Sequence, residues 1–145
     1  MDPEQTGNPV FGAPADLTAY ILEPVEGITD KKRPAVLLCP GGGYHKLSGR
    51  EDQPIAMKYL AAGFHVFVLH YSLVPDVFPR ALMELALSMK LIREHGNEWN
   101  VDVKRIAVSG FSAGGHLACC LGTFWNKEWL YKALEVKPEM IQPNG

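Results

Sequence analysis

Apolar residues follow two rhythms along this chain. Residues 35–39 and 64–71 are nearly continuous apolar runs, the pattern of strands buried on both faces. Elsewhere the spacing is helical. Ile55, Ala56, Tyr59 and Leu60 form a stripe over residues 52–62, with Pro54 in the first turn and Gly63 as the stop. Leu82, Leu85, Ala86, Met89 and Ile92 form another over residues 80–95, closed by Gly96. A short strand over 106–109 runs into a third helix over 113–125, with Leu117, Ala118 and Leu121 inward. Residues 17–22 alternate well enough for an early strand at a sheet edge. Strands alternating with helices predict an α/β fold with a mostly parallel sheet and right-handed crossovers. Residues 1–16 lack any period and read as a loose lead-in, leaving 17–145 as part of a single domain.

Composition narrows the function classes. Of 145 residues, 47% are hydrophobic and 21% charged, ordinary for a globular protein. A net charge of -2 gives no global drive toward nucleic acid or an anionic membrane, and neither is expected as a partner. Lys31-Lys32-Arg33 reads as a solvated turn. The start has no signal-peptide pattern, and no stretch approaches the ~20 apolar residues of a membrane span. Cys39 closes a buried strand, while Cys119 and Cys120 are neighbours on a helix. Neither a disulfide framework nor metal-ligand spacing results, so a reducing, cytoplasmic setting is expected, with no metal and no cofactor.

Two motifs carry chemistry. Gly110-Phe111-Ser112-Ala113-Gly114 is a G-x-S-x-G pattern set between a strand and a helix, the sharp turn that exposes a nucleophilic serine. The second, Pro40-Gly41-Gly42-Gly43-Tyr44, follows the first buried strand. It lacks the Gly-Lys-Ser/Thr of a P-loop, and it runs on through His45-Lys46-Leu47-Ser48 instead of opening into a helix as a dinucleotide fingerprint does. A glycine loop there can instead aim backbone N–H groups at the oxygen that becomes negative during acyl transfer.

Together these motifs resemble the N-terminal part of an α/β-hydrolase of the esterase/lipase group, and more narrowly the acetyl-xylan-esterase-like carbohydrate esterases. Residues 39–44, Ser48-Gly49-Arg50-Glu51, residues 68–72 and residues 110–118 carry the likeness, which covers about 17–130. Pro40 stands where the lipase-type motif has histidine. The resemblance implies a partial α/β-hydrolase fold, three layers α/β/α with helices on both faces of the sheet. It makes Ser112 the nucleophile and the N–H groups of Gly42, Gly43 and Ala113 the oxyanion hole, with Gly41 serving close packing. Tyr44, His45, Tyr71 and Ser72 become candidates for the pocket wall. The implied activity is a serine carboxylesterase cleaving small acyl esters, acetyl among them, on carbohydrates.

A serine needs a base, and the base a third group to orient it. In α/β-hydrolases these follow the serine as Asp/Glu and then His. After Ser112 the acids are Glu128, Glu135 and Glu139, and the one histidine is His116, read as a structural residue beneath the elbow. The triad Asp and His are therefore expected beyond residue 145. Strand 106–109 would then be a sheet edge prone to self-association. A catalytically incompetent fragment or ligand-binding module, and a serine peptidase of the same fold, stand as alternatives.

Overall fold

The computed structural model describes residues 15–27 and 31–145. Its centre is a pair of parallel strands, β2 (Arg33–Cys39) and β3 (His65–His70), in register at Val36↔Val66 and Leu37↔Phe67. β1 (Asp16–Tyr20) lies antiparallel outside β3, and β4 (Val101–Gly110) parallel outside β2, giving the order β1-β3-β2-β4. Every residue from Val66 to Leu69 is at most 1% exposed, as the continuous apolar runs require.

Alternation along the strands sends side chains to two faces. Leu38, Val66 and Val68 pack with Ala56, Ile55 and Tyr59 of α1 (Gln53–Ala61) on one side. Ala35, Leu37, Phe67, Leu69 and Tyr71 face the larger cluster. That side is covered by α2 (Arg80–Glu94), α3 (Ala113–Phe124), α4 (Glu128–Ala133) and α5 (Pro138–Ile141). The result is three layers, α/β/α.

The structure departs from the sequence reading in three places. β4 begins at Val101, not at residue 106, and its charged first half pairs Val101 with Arg33 through a register shift. α4 and α5 had no counterpart in the expected pattern; each is short and is anchored by one fully buried residue, Leu130 or Ile141. The β4 edge is also not bare. Asn144 N–H donates to Ile106 O (2.8 Å), and Val108 N–H donates to Gly145 O (2.9 Å). The Arg93 guanidinium fastens this segment by donating to Gln142 O and to Asn144 Oδ1. Of the expected lead-in, residues 1–14 lie outside the described residues, and Asp16 already opens β1. Among the described residues no helix is long and apolar enough to cross a membrane.

Candidate active site

β4 turns into α3 through Ser112, whose backbone stands at φ 52°, ψ -117°. A non-glycine residue there costs about 1–3 kcal/mol and persists only where its surroundings impose it. Here the imposition is steric. A Cβ on Gly110 would stand 2.2 Å from Gly114 O, and one on Gly114 would stand 2.0 Å from Cys39 O. The elbow is thus pressed against the end of β2 so closely that only glycine fits. Ser112 is exposed, and its hydroxyl has no hydrogen-bond partner among the described residues.

The glycine loop leaves the neighbouring strand, where Cys39 is paired with Gly110. It is held from several sides. Phe111 N–H donates to Cys39 O (3.2 Å), and Ser48 N–H donates to Gly41 O (2.8 Å). Gly41 N–H donates to Glu51 Oε2 (2.8 Å), and Tyr71 Oη–H donates to Pro40 O (2.5 Å). Gly41 itself is a packing point, since a Cβ there would meet Phe111 O at 2.5 Å. The loop then curls through positive φ at Gly42 (141°), Gly43 (68°) and Tyr44 (63°). Gly42 O accepts from the N–H groups of both His45 and Lys46 (3.2 Å each). The N–H groups of Gly42, Gly43 and Ala113 donate to no group among the described residues. That of Ala113 also sits at the positive end of the α3 dipole.

The candidate wall residues separate into two groups. Tyr44 and Ser72 line a cavity of about 290 Å³, together with Phe78, Arg80, His116 and Leu117. Tyr71 is instead buried behind the glycine loop, and burial raises its phenol pKa so that it stays a donor. His45 is exposed and does not line the cavity.

His116 is not beneath the elbow. It is exposed on the cavity wall, with Nδ1 2.8 Å from Tyr44 Oη and both ring nitrogens 3.9 Å from Cys120 Sγ. Three further histidines are structural. His65 accepts from Leu22 N–H and donates to Asn100 O; His70 pairs with Asp52 (2.6 Å); His95 stacks on Trp99. No group of three or more His, Cys, Asp or Glu among the described residues could hold a metal.

Two roles are not legible in the sequence, that of Glu51, which stands there only as part of the family likeness, and that of Glu84. Glu51 anchors Gly41. Glu84, with a side chain 1% exposed, accepts from Ser72 N–H (2.7 Å) and from Ser72 Oγ–H (2.5 Å), with Arg80 Nε 3.8 Å away. Burial raises the pKa of its carboxyl. Glu84 is a polar position inside a helical apolar stripe, and its partner lies twelve residues away, so no local pattern announces it.

Known proteins share this architecture. The chain is 31% identical over 120 residues to endo-1,4-beta-xylanase B of Butyrivibrio fibrisolvens, which covers 80% of the chain and 18% of that enzyme. It is 30% identical over 90 residues to the acetylxylan esterase of Xylanibacter ruminicola, covering 61% of the chain and 19% of the relative. The solved structure of the carboxylesterase Cest-2923 from Lactobacillus plantarum superposes with a TM-score of 0.78 at 34% identity, over 91% of this chain and 49% of that one. The chain therefore spans about half the length of this carboxylesterase and under a fifth of the two curated relatives. The family model BD-FAE matches residues 24–142, which hold three of the four strands and every helix described above. By that match the chain belongs to the BD-FAE family, and by its likeness to the carboxylesterase structure it has the α/β-hydrolase fold.

Proposed function

We propose that this chain carries the nucleophile and oxyanion hole of a serine carboxylesterase acting on small acyl esters, acetyl among them, borne by carbohydrates. One observation carries the reading. An exposed serine held at φ 52° stands where the elbow presses on a glycine loop, and three backbone N–H groups of those two segments are unspent. Ser112 Oγ attacks the ester carbonyl, and its proton passes to a base. The carbonyl oxygen, now negative, takes hydrogen bonds from Gly42, Gly43 and Ala113, each worth about 2.7–4 kcal/mol in such sites. Collapse expels the protonated alcohol and leaves an acyl-serine, which water cleaves to the free acid. The relatives named for acetylxylan and carboxylic esters support the substrate class.

A second reading rests on His116, the one histidine after the elbow, whose Nδ1 is engaged by Tyr44. On that reading the chain is a ligand-binding module without turnover of its own. The test is p-nitrophenyl acetate hydrolysis by the chain and by Ser112→Ala, with fluorophosphonate labelling and mapping of the adduct. The esterase reading expects an adduct on Ser112 and slower hydrolysis by the variant. Equal rates without an adduct favour the binding module. The part of the outer β4 edge that residues 144–145 leave unpaired is proposed in addition as a self-association surface, to be checked by sedimentation velocity; a monomer at all concentrations would remove it.

A further inference from the structure

Beside the cavity lies a feature that ester chemistry alone does not use. Phe78 from the loop after β3, Phe124 at the end of α3 and Trp129 in α4 meet as a triangle. Their ring centroids are 6.2, 5.9 and 5.6 Å apart, and the ring planes are tilted by 59–66°. Phe78 is 60% and Trp129 44% exposed. Scattered surface hydrophobics need no explanation, but a cluster of large aromatic rings marks a binding surface, and one of these rings, Phe78, also lines the cavity.

We propose that Phe78, Phe124 and Trp129 form a saccharide platform that seats a pyranose ring of the alcohol moiety. The proposal rests on the esterase reading for the ligand's class. The argument is one of matched chemistry. One face of a pyranose carries axial C–H groups, apolar and slightly positive, which fit the negative faces of aromatic rings. Its rim carries hydroxyls that need polar partners. Rings tilted against one another form a shallow cup, suited to a puckered ring and not to a flat one. The polar partners are adjacent: Asp76 and Arg80, ion-paired at 3.4 Å with side chains 31% and 20% exposed, line the cavity that Phe78 also lines. Deeper in, the same cavity is walled by Ala81, Leu82 and Leu117, which suits a short acyl chain and offers nothing to hydroxyls. Two of its lining residues adjoin the candidate site along the chain: Tyr44 follows Gly43, and the His116 N–H donates to Ser112 O (2.9 Å). Acyl group and sugar thus have separate neighbours along one cleft.

An unesterified xylo-oligosaccharide tests the platform without requiring turnover. Xylotetraose is titrated into the full chain and followed by tryptophan emission and by NMR shifts. Of the three tryptophans Trp129 is the exposed reporter, while Trp99 is stacked on His95 and Trp125 is half-buried. Saturable binding is expected with Kd on the order of 1 mM. Ser112→Ala should bind equally. Phe78→Ala and Trp129→Ala should each weaken binding about tenfold by losing apolar contact area, and Trp129→Phe should retain most of it. Absence of saturable binding, or binding indifferent to Phe78→Ala and Trp129→Ala, would overturn the proposal. So would self-association that those two variants dissolve, since a second copy would then be the occupant. Failure of the esterase reading looks different: no fluorophosphonate adduct on Ser112, with saccharide binding intact.

Discussion

Two loops leave the carboxyl ends of the neighbouring strands β2 and β3, and they are built on opposite principles. The glycine loop after β2 is fixed by backbone. The carbonyls of Cys39, Pro40 and Gly41 and the N–H of Gly41 are engaged by Phe111, Tyr71, Ser48 and Glu51, and contact with the elbow leaves no room for a methyl group on Gly41. The loop after β3 is fixed at its root. Glu84 grips Ser72, while Val74, Val77 and Phe78 stand 47%, 75% and 60% exposed. A loop that must hold donors against a developing charge gains from being over-determined. A loop that forms a recognition surface needs only a fixed base and a free face.

The comparison breaks most sharply at Gly114. A Cβ there would lie 2.0 Å from Cys39 O and 2.6 Å from Pro40 O, both backbone atoms of the neighbouring strand's end. Neither can yield without moving β2, so Gly114→Ala should cost about 3 kcal/mol or more, at the upper end of overpacking. Urea denaturation measures it. A loss under about 1 kcal/mol, less than ordinary overpacking, would mean the two loops are not jammed together.

The second loop breaks at its root. Glu84→Ala removes an acceptor for two Ser72 donors and should cost about 2–3 kcal/mol at acidic pH. The sign with pH follows from burial, which raises the Glu84 pKa in the folded state. The native state then holds this proton more tightly than the unfolded chain does. Its contribution is fullest below the ordinary Glu range and declines as pH rises through the raised folded value. The gap between wild type and Glu84→Ala should therefore narrow with rising pH in urea titrations. A constant gap would show that burial of this carboxyl is not felt.

The legibility of the two loops in sequence differs for the same physical reason. The glycine loop and elbow depend on residue types with local consequences, glycines at fixed offsets from Ser112, so they could be read directly. β2 and β3 could be read because burial on both faces demands unbroken apolar runs. Glu84 could not, because its partner is set by tertiary packing. The first half of β4 was hidden by Asp102, Lys104 and Arg105, charged residues that an outer strand tolerates; Asp102 even satisfies Lys104 N–H and pairs with Arg105. Two further signals lie in the sequence. Pro138 is a first-position helix proline and marks α5. Tyr71 continues the alternation Phe67, Leu69, Tyr71, which sends it into the core and away from the pocket wall.

Tyr71 also gives the smallest of these effects on stability and the most informative one. Tyr71→Phe deletes one hydrogen bond, to Pro40 O, and leaves the ring in its edge contact with Tyr44 at 5.8 Å. A single neutral hydrogen bond is worth about 1 kcal/mol. Pro40, however, is where the glycine loop leaves β2, and releasing its carbonyl frees the segment that carries Gly42 and Gly43. Because a displacement of about 1 Å in a positioning group can cost on the order of 10²-fold in rate, Ser112-dependent ester hydrolysis should fall further than stability does. Activity and urea stability measured on the same variant separate the two effects. If activity falls no more than a loss of about 1 kcal/mol would predict, roughly fivefold, then Tyr71 is a packing group. The glycine loop would then owe its shape to its glycines, to Glu51 and to its backbone hydrogen bonds.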